Sequence, residues 1–266
     1  MKEASLNTKK GTLRYWRSDP WDAGKDTLFF MHGLTADHTM FDAQISSFER
    51  DYNLLAWDAP AHGKSRPFEA FTFEEAAGYI LEILDALSVR KVVLIGQSLG
   101  GYFAQSFFKR YPERVKAFVS IDSTPYGSQY YSAFDMWIIN QVEWMAALYP
   151  LKTMKKAMAK QVSTKQRTYD NMMQMLAPYG KKELCHLMGV GYAGFLKDNC
   201  DLQLTCPVLL ILGEHDKTGK VKQYNKAWSE QTGYPLKIIK DAAHNANVDQ
   251  PEEVNRLIRE FLLHDA

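Results

Sequence analysis

Three cysteines among 266 residues, Cys185, Cys200 and Cys206, are few, odd in number and without C-x-x-C spacing. They argue against a disulfide framework and against a cysteine-held zinc site. Net charge is scarce too, since 32 lysines and arginines against 31 carboxylates leave +1. No whole-chain field draws such a protein to nucleic acid or to an anionic membrane. No apolar run approaches the ~20 residues of a membrane span. The opening MKEASLNTKKGTLRYW carries charge but lacks the apolar stretch of a signal peptide. Repeats and low-complexity runs are missing as well. The expectation is a reduced, cytoplasmic protein with neither a nucleic-acid nor a membrane partner, and assembly as a homodimer is left open. What remains is ordinary globular composition, 46% hydrophobic and 24% charged, long enough for one core with a modest insertion.

The apolar residues fall into short runs. Thr27–Met31, Leu54–Trp57, Lys91–Ile95, Ala117–Ile121, Val208–Leu212 and Leu236–Ile239 are continuous and rich in β-branched or aromatic residues. Such runs suit strands buried on both faces, as in a parallel sheet. Gly11–Arg17 alternates more and reads as an antiparallel edge strand. Segments with helical spacing lie between the runs, at Phe73–Ser88, Leu99–Tyr111 and Glu252–Leu263. Strand–helix alternation of this kind predicts an α/β fold, a mostly parallel twisted sheet of about eight strands with helices on both faces. The alternation breaks once. Residues 123–205 hold no convincing buried strand, and helices are predicted near Tyr131–Leu148, Thr153–Val162, Gln166–Leu176 and Lys182–Phe195. The expected organisation is a core of residues 1–122 and 206–266 with a helical lid at 123–205.

In a parallel α/β sheet, ligands bind outside the carboxyl ends of the strands. The residues just after each run therefore matter most. His32, Gly33 and Leu34 follow the first, and Asp58 to Ser65 the second. "GQSLG", with Ser98 at its centre, follows the third; Asp122 follows the fourth, Asp216 the fifth and His244 the last. A G-x-S-x-G turns up by chance in roughly one chain in ten of this length. Its place at a strand end, followed in order by an aspartate and a histidine at further strand ends, is what gives it meaning. A serine hydroxyl is a weak nucleophile, so a neutral imidazole must take its proton, and a carboxylate must steady the imidazolium that forms. Ser98, Asp216 and His244 fit those roles. The backbone N–H groups of Leu34 and Leu99 are the expected oxyanion donors. Asp122 is the competing acid and His215 the competing base. His32 and His62 read as loop histidines, Asp58 as a loop-bracing carboxylate, and His38, His186 and His264 as surface or lid residues.

"FFMHGLTADHTMF", "LLAWDAPAHGKS", "VVLIGQSLGGYFA", "LLILGEHDK" and "DAAHNANVDQPEEVNRLIREFL" occur in that order. With them the chain resembles the α/β-hydrolase superfamily, in its capped, single-domain esterase, lactonase and carbon–carbon hydrolase branch. The resemblance runs from about Thr27 to Leu263, the lid excepted, and departs from the common pattern at Ala61, where many members have glycine. It implies the same triad and oxyanion donors. The expected activity is cofactor-free hydrolysis of a small carboxylic ester through an acyl-serine. The methionine- and aromatic-rich lid suits an apolar or aromatic group, and no His/Asp/Cys pair shows metal-ligand spacing on one element. Lactone, thioester or carbon–carbon bond hydrolysis is the alternative, as is a ligand-binding protein with little turnover. The partner would be a small-molecule substrate. Besides the triad, His32 and Gly33 are expected at the pocket, with Trp137, Trp144, Met172 and Tyr192 contributed by the methionine- and aromatic-rich lid.

Overall fold

The apolar runs become strands. The computed structural model describes residues 1–264, in which β1 (Lys2–Asn7), β2 (Thr12–Arg17), β3 (Thr27–Met31), β4 (Asn53–Asp58), β5 (Val92–Gln97), β6 (Val115–Ile121), β7 (Val208–Gly213) and β8 (Leu236–Ile239) form one sheet. Its order is β1-β2-β4-β3-β5-β6-β7-β8. From β4 to β8 all neighbours are parallel, while β1 and β2 pair antiparallel at one side. The predicted edge strand is therefore one place in from the edge. Lys2–Asn7 takes the edge itself, and its exposed, polar, alternating side chains are why no buried run marks it.

Alternate residues of the central strands face opposite ways. Phe29, Met31 and Leu94 join one hydrophobic cluster, whereas Leu28, Phe30, Val93 and Ile95 join the other. Helices α1 (Asp42–Phe48), α2 (Phe73–Ala86) and α3 (Leu99–Arg110) connect the strands up to β6. α2 starts at a capping box, Thr72 and Glu75 satisfying each other's backbone N–H groups. It packs with α3 on the first face, while Phe48 of α1 packs on the second.

Five helices lie between β6 and β7: α4 (Ala133–Asn140), α5 (Val142–Ala147), α6 (Leu151–Gln161), α7 (Gln166–Leu176) and α8 (Lys181–Asp198). The single helix predicted over 131–148 is two. Asn140, the last residue of α4, turns its side-chain amide back onto the Met136 carbonyl at 2.8 Å, competing with the helix ladder at the break. After β7 come α9 (Val221–Thr232), the short α10 (Ala246–Asp249) and α11 (Pro251–His264), which buries Val254, Leu257, Ile258 and Phe261 on the second face. Among the described residues, no helix is long and apolar enough to cross a membrane.

Candidate active site

Ser98 sits between β5 and α3 with φ +50° and ψ −116°, left-handed backbone that a non-glycine residue adopts only under constraint. The flanking glycines supply the constraint. A Cβ on Gly96 would lie 2.5 Å from the Gly100 carbonyl, and one on Gly100 would lie 1.9 Å from the Met31 oxygen. Strand end, helix start and the neighbouring strand β3 thus touch backbone to backbone, and no side chain fits between them. The bend holds the serine hydroxyl out beyond the sheet.

His244 meets it there. Its Nε2 is 2.8 Å from Ser98 Oγ, and its Nδ1 is 2.8 Å from Asp216 Oδ2. The other Asp216 oxygen accepts the Thr218 N–H at 2.7 Å. Burial alone would raise the Asp216 carboxyl. The charge and hydrogen bond of His244, with the Thr218 N–H, outweigh it and hold the group below the usual carboxylate value. An ionised Asp216 only accepts, so Nδ1 carries the proton and the Nε2 lone pair faces the serine O–H. The His244 loop is itself fixed. Gln97 donates to the His244 carbonyl at 2.8 Å, and Asp249 accepts the Ala243 N–H at 2.9 Å.

Asp122 stands next to this set but does a different job. Its oxygens accept the N–H groups of Gly213 (2.6 Å) and Ala246 (3.2 Å), tying the end of β7 to the His244 loop. It makes no hydrogen bond to His244, and burial with the nearby Asp216 charge pushes its carboxyl upward. His215 is half exposed between Glu214 and Asp241, away from Ser98. Geometry thus favours Asp216 and His244 over both competitors.

Leu34 and Leu99 were expected to supply two N–H groups. Leu99 is the first residue of α3, where helix geometry leaves the N–H without an internal acceptor. Neither N–H has a backbone acceptor among the described residues. His32 bears on the first of them. Its Nε2 accepts the Ala59 N–H at 3.0 Å, so its Nδ1 must donate to the Gly33 carbonyl at 2.8 Å. That carbonyl and the Leu34 N–H share one trans peptide, and holding one fixes the direction of the other. His32 is fully buried, which lowers its pKa and keeps it neutral. It positions the loop and is not the pocket residue expected. Gly33 lies closer in, since a Cβ there would come 3.2 Å from Ser98 Cβ and 2.1 Å from Gln97 Oε1. Asp58 braces the adjoining loop through the N–H groups of His38 and Lys64. His38, expected at the surface, stacks on Trp16 and donates its ring N–H to Asp58 at 2.8 Å.

Two small cavities flank Ser98 Oγ. One, about 40 Å³, reaches Tyr102, Thr124 and Val221. The other, about 50 Å³, is walled by Met40, Met158, Val162 and Met172. Leu34, Tyr192, Thr218 and His244 line both. A larger space of about 430 Å³ adjoins the first and continues between α4 and α9 past Tyr131, Ile138, Phe195 and Tyr224. Met172 and Tyr192 are thus where the sequence put them, at the pocket. Trp137 and Trp144 are not. They are 58% and 64% exposed on the outer faces of α4 and α5, because the inward positions go to Met136 and Ile139 in α4 and to Ala146 in α5. Thr218, Gln97 and Asp249 were not singled out from the sequence. Thr218 had a usable signal in its place two residues after the acid; the other two act through backbone contacts that only the fold brings together.

Among the described residues, three groups of histidine and acid side chains bring their ligand atoms within 4.8 Å of one another. Asp37–His38–Asp58 is occupied by loop hydrogen bonds. Asp122–Asp216–His244 is the site itself, and Glu214–His215–Asp241 is an exposed surface group. None presents an arrangement that calls for an ion.

A nucleophile elbow, an acid and a base at successive strand ends of a mostly parallel sheet define the α/β-hydrolase fold. A family model of that fold matches residues 26–151. A putative esterase/lipase of Haemophilus influenzae is 24% identical over 88% of this chain and 82% of its own length. An uncharacterized carboxylesterase of Bacillus subtilis is 27% identical over 96% of this chain and 85% of its own. A solved thermophilic esterase from Thermogutta terrifontis superposes with a TM-score of 0.78 at 21% identity, covering 99% of this chain and 98% of that one. The chain has the α/β-hydrolase fold, and over residues 26–151 it matches the family model of that fold.

Proposed function

We propose that the protein is a serine hydrolase of small carboxylic esters. The observation that carries this reading is the unbroken relay Ser98 Oγ–His244 Nε2, His244 Nδ1–Asp216, set on a strained serine that opens onto small cavities. Ser98 Oγ attacks the ester carbonyl while His244 Nε2 takes its proton, and Asp216 stabilises the resulting imidazolium. The N–H groups of Leu34 and Leu99 receive the tetrahedral oxyanion. As that intermediate collapses, His244 returns the proton to the departing alcohol, leaving an acyl-Ser98. A water molecule, activated by the same histidine, then releases the acid. No cofactor enters the scheme.

The lid forms part of the pocket wall in this reading. Met158, Val162, Met172 and Tyr192 all come from 123–205 and border the cavities beside Ser98. The small volumes there favour short acyl or alcohol groups, and the larger space under α4 admits one longer apolar or aromatic group. The test is kcat/KM for p-nitrophenyl esters from acetate to octanoate, with fluorophosphonate labelling of Ser98 in parallel. Labelling with turnover that falls off at long chains is the expected result. Labelling without turnover of any ester would point instead to a binding protein that retains the triad.

A further inference from the structure

The wall of the pocket contains several hydroxyl groups, and most are paired within the protein. Tyr102 bonds Thr124 at 2.6 Å, Thr124 bonds Tyr131 at 2.7 Å, and Tyr131 donates to the Pro125 carbonyl at 2.6 Å. Ser123 donates to the Ser98 carbonyl at 2.7 Å. Two are exceptions. Thr218 Oγ1 is buried and makes no hydrogen bond of proper geometry, although it stands near the Asp216 carboxylate. The half-buried Tyr192 hydroxyl bonds to none of the described residues, while both cavities at Ser98 and the larger space that adjoins them have Tyr192 and Thr218 in their walls. A buried hydroxyl without a partner, as at Thr218, destabilises the fold, and native structures rarely keep one without a use. The Tyr192 hydroxyl borders the same cavities and is free to meet a ligand there.

The two reach the same place from opposite sides. Tyr192 belongs to α8, and α8 is seated directly on the oxyanion loop, since a Cβ on Gly191 would meet the Leu34 side chain at 2.8 Å. Thr218 is held from the core side, two residues past the acid, by its own N–H on Asp216. We infer that the Tyr192 and Thr218 hydroxyls form a polar subsite beside Ser98 that donates to a second oxygen of the substrate, a few bonds from the scissile carbonyl. The substrate class is then an ester with an ether, hydroxyl or carbonyl oxygen in its acyl or alcohol part, rather than a plain alkyl ester. Burial and the Asp216 charge keep the Tyr192 phenol protonated, and so a donor, throughout the working pH range. This inference rests on the serine-hydrolase reading above and narrows its substrate.

Two isosteric pairs test it. Phenyl methoxyacetate against phenyl butyrate exchanges one methylene for oxygen on the acyl side, and 2-methoxyethyl acetate against butyl acetate does so on the alcohol side. Rates are divided by those for hydroxide hydrolysis, and enzyme is counted by fluorophosphonate titration so that only competent sites enter. The expected result is a preference of about tenfold for the oxygenated member of at least one pair, reduced severalfold by Tyr192→Phe and separately by Thr218→Val. The pair that responds tells which part of the substrate carries the oxygen. Hydrolysis of all four esters with no preference, or with a preference that neither substitution moves, overturns the subsite and leaves the serine hydrolase standing. Failure of the wild type to hydrolyse or be labelled overturns both.

Discussion

Ser98, Asp216 and His244 rest on loops tied by hydrogen bonds with Gln97, Asp122, Thr218 and Asp249, whereas α4 and α5 turn Phe134, Trp137 and Trp144 to solvent. At the sheet edge, position comes from main chain against main chain: Gly96 on Gly100, Gly100 on Met31, Gly213 on the Ala243 carbonyl. In the helical segment it comes from side chains and a few polar ties. Asp198, at the end of α8, gathers Ser106, Lys109, Arg110 and Tyr126, an arrangement that keeps its carboxyl far below the usual value despite burial. Asp249 accepts the N–H groups of Thr164 and Lys165 as well as that of Ala243, and the Asn245 N–H bonds the Val162 carbonyl at 2.9 Å. The turn between α6 and α7 is thereby fastened to the loop that carries His244. The two regions differ in what they can tolerate. A backbone contact leaves room for one residue type, while a packed side chain can be exchanged for another of similar bulk.

The sharpest break in that contrast is expected at the acid. Asp216→Asn should lower kcat by about 10⁴, because an amide in its place leaves the imidazole in the wrong tautomer. Asp122→Asn should cost at most about a hundredfold, the scale of a slight misplacement of reacting groups. Steady-state kinetics on the two variants decides between them, and a reversed order would transfer the acid's role to Asp122. Gly100→Ala comes next. Its methyl has no space before the Met31 oxygen, and about 3 kcal/mol of stability should be lost, seen calorimetrically as a Tm lower by roughly 10 °C.

Acid should expose the same edge. His62 is fully buried, donates Nδ1–H to the Pro60 carbonyl and has its pKa depressed from 6.5 to about 3, chiefly by burial and then by His32. Below pH 6.5 the unfolded chain binds a proton that the folded state refuses until about pH 3. Across that window stability should fall by ~1.4 kcal/mol per pH unit for such a group. A Tm unchanged between pH 6.5 and 4 would contradict the neutral, buried assignment. The smallest effect belongs to the outer face of the helices between β6 and β7. Trp144→Ala should change kcat/KM for any short ester by less than about twofold, whereas Met172→Ala should shift the preferred chain length upward by opening the wall beside Ser98. Equal effects of the two would erase the distinction between the inner and outer faces of these helices.

Much of this was legible before the fold was known, and unevenly so. Phe29, Leu94 and Val119 lie in continuous apolar runs because both faces of their strands are covered, and such runs are visible in a sequence. Ser98 was legible because a strained turn admits so few residues around it. Lys2–Asn7 was not, since an edge strand with one solvated face needs no apolar run. Trp137 and Trp144 misled because composition tells that a helix is rich in aromatics, not which way they face; the periodicity of Met136 and Ile139 was the better guide. Tyr192 was named as a pocket residue, but its lack of a hydrogen-bond partner is a property of the assembled wall and has no counterpart along the chain.

The most direct test of the central claim is the mass of the protein during turnover. Rapid acid quench of the enzyme mixed with a slowly deacylating p-nitrophenyl ester, followed by intact-mass and peptide analysis, should show one acyl group per chain, located on Ser98. The burst of p-nitrophenol should match it, and both should vanish in Ser98→Ala. A burst with the acyl group on another residue, or ester turnover by Ser98→Ala at near the wild-type rate, would contradict it.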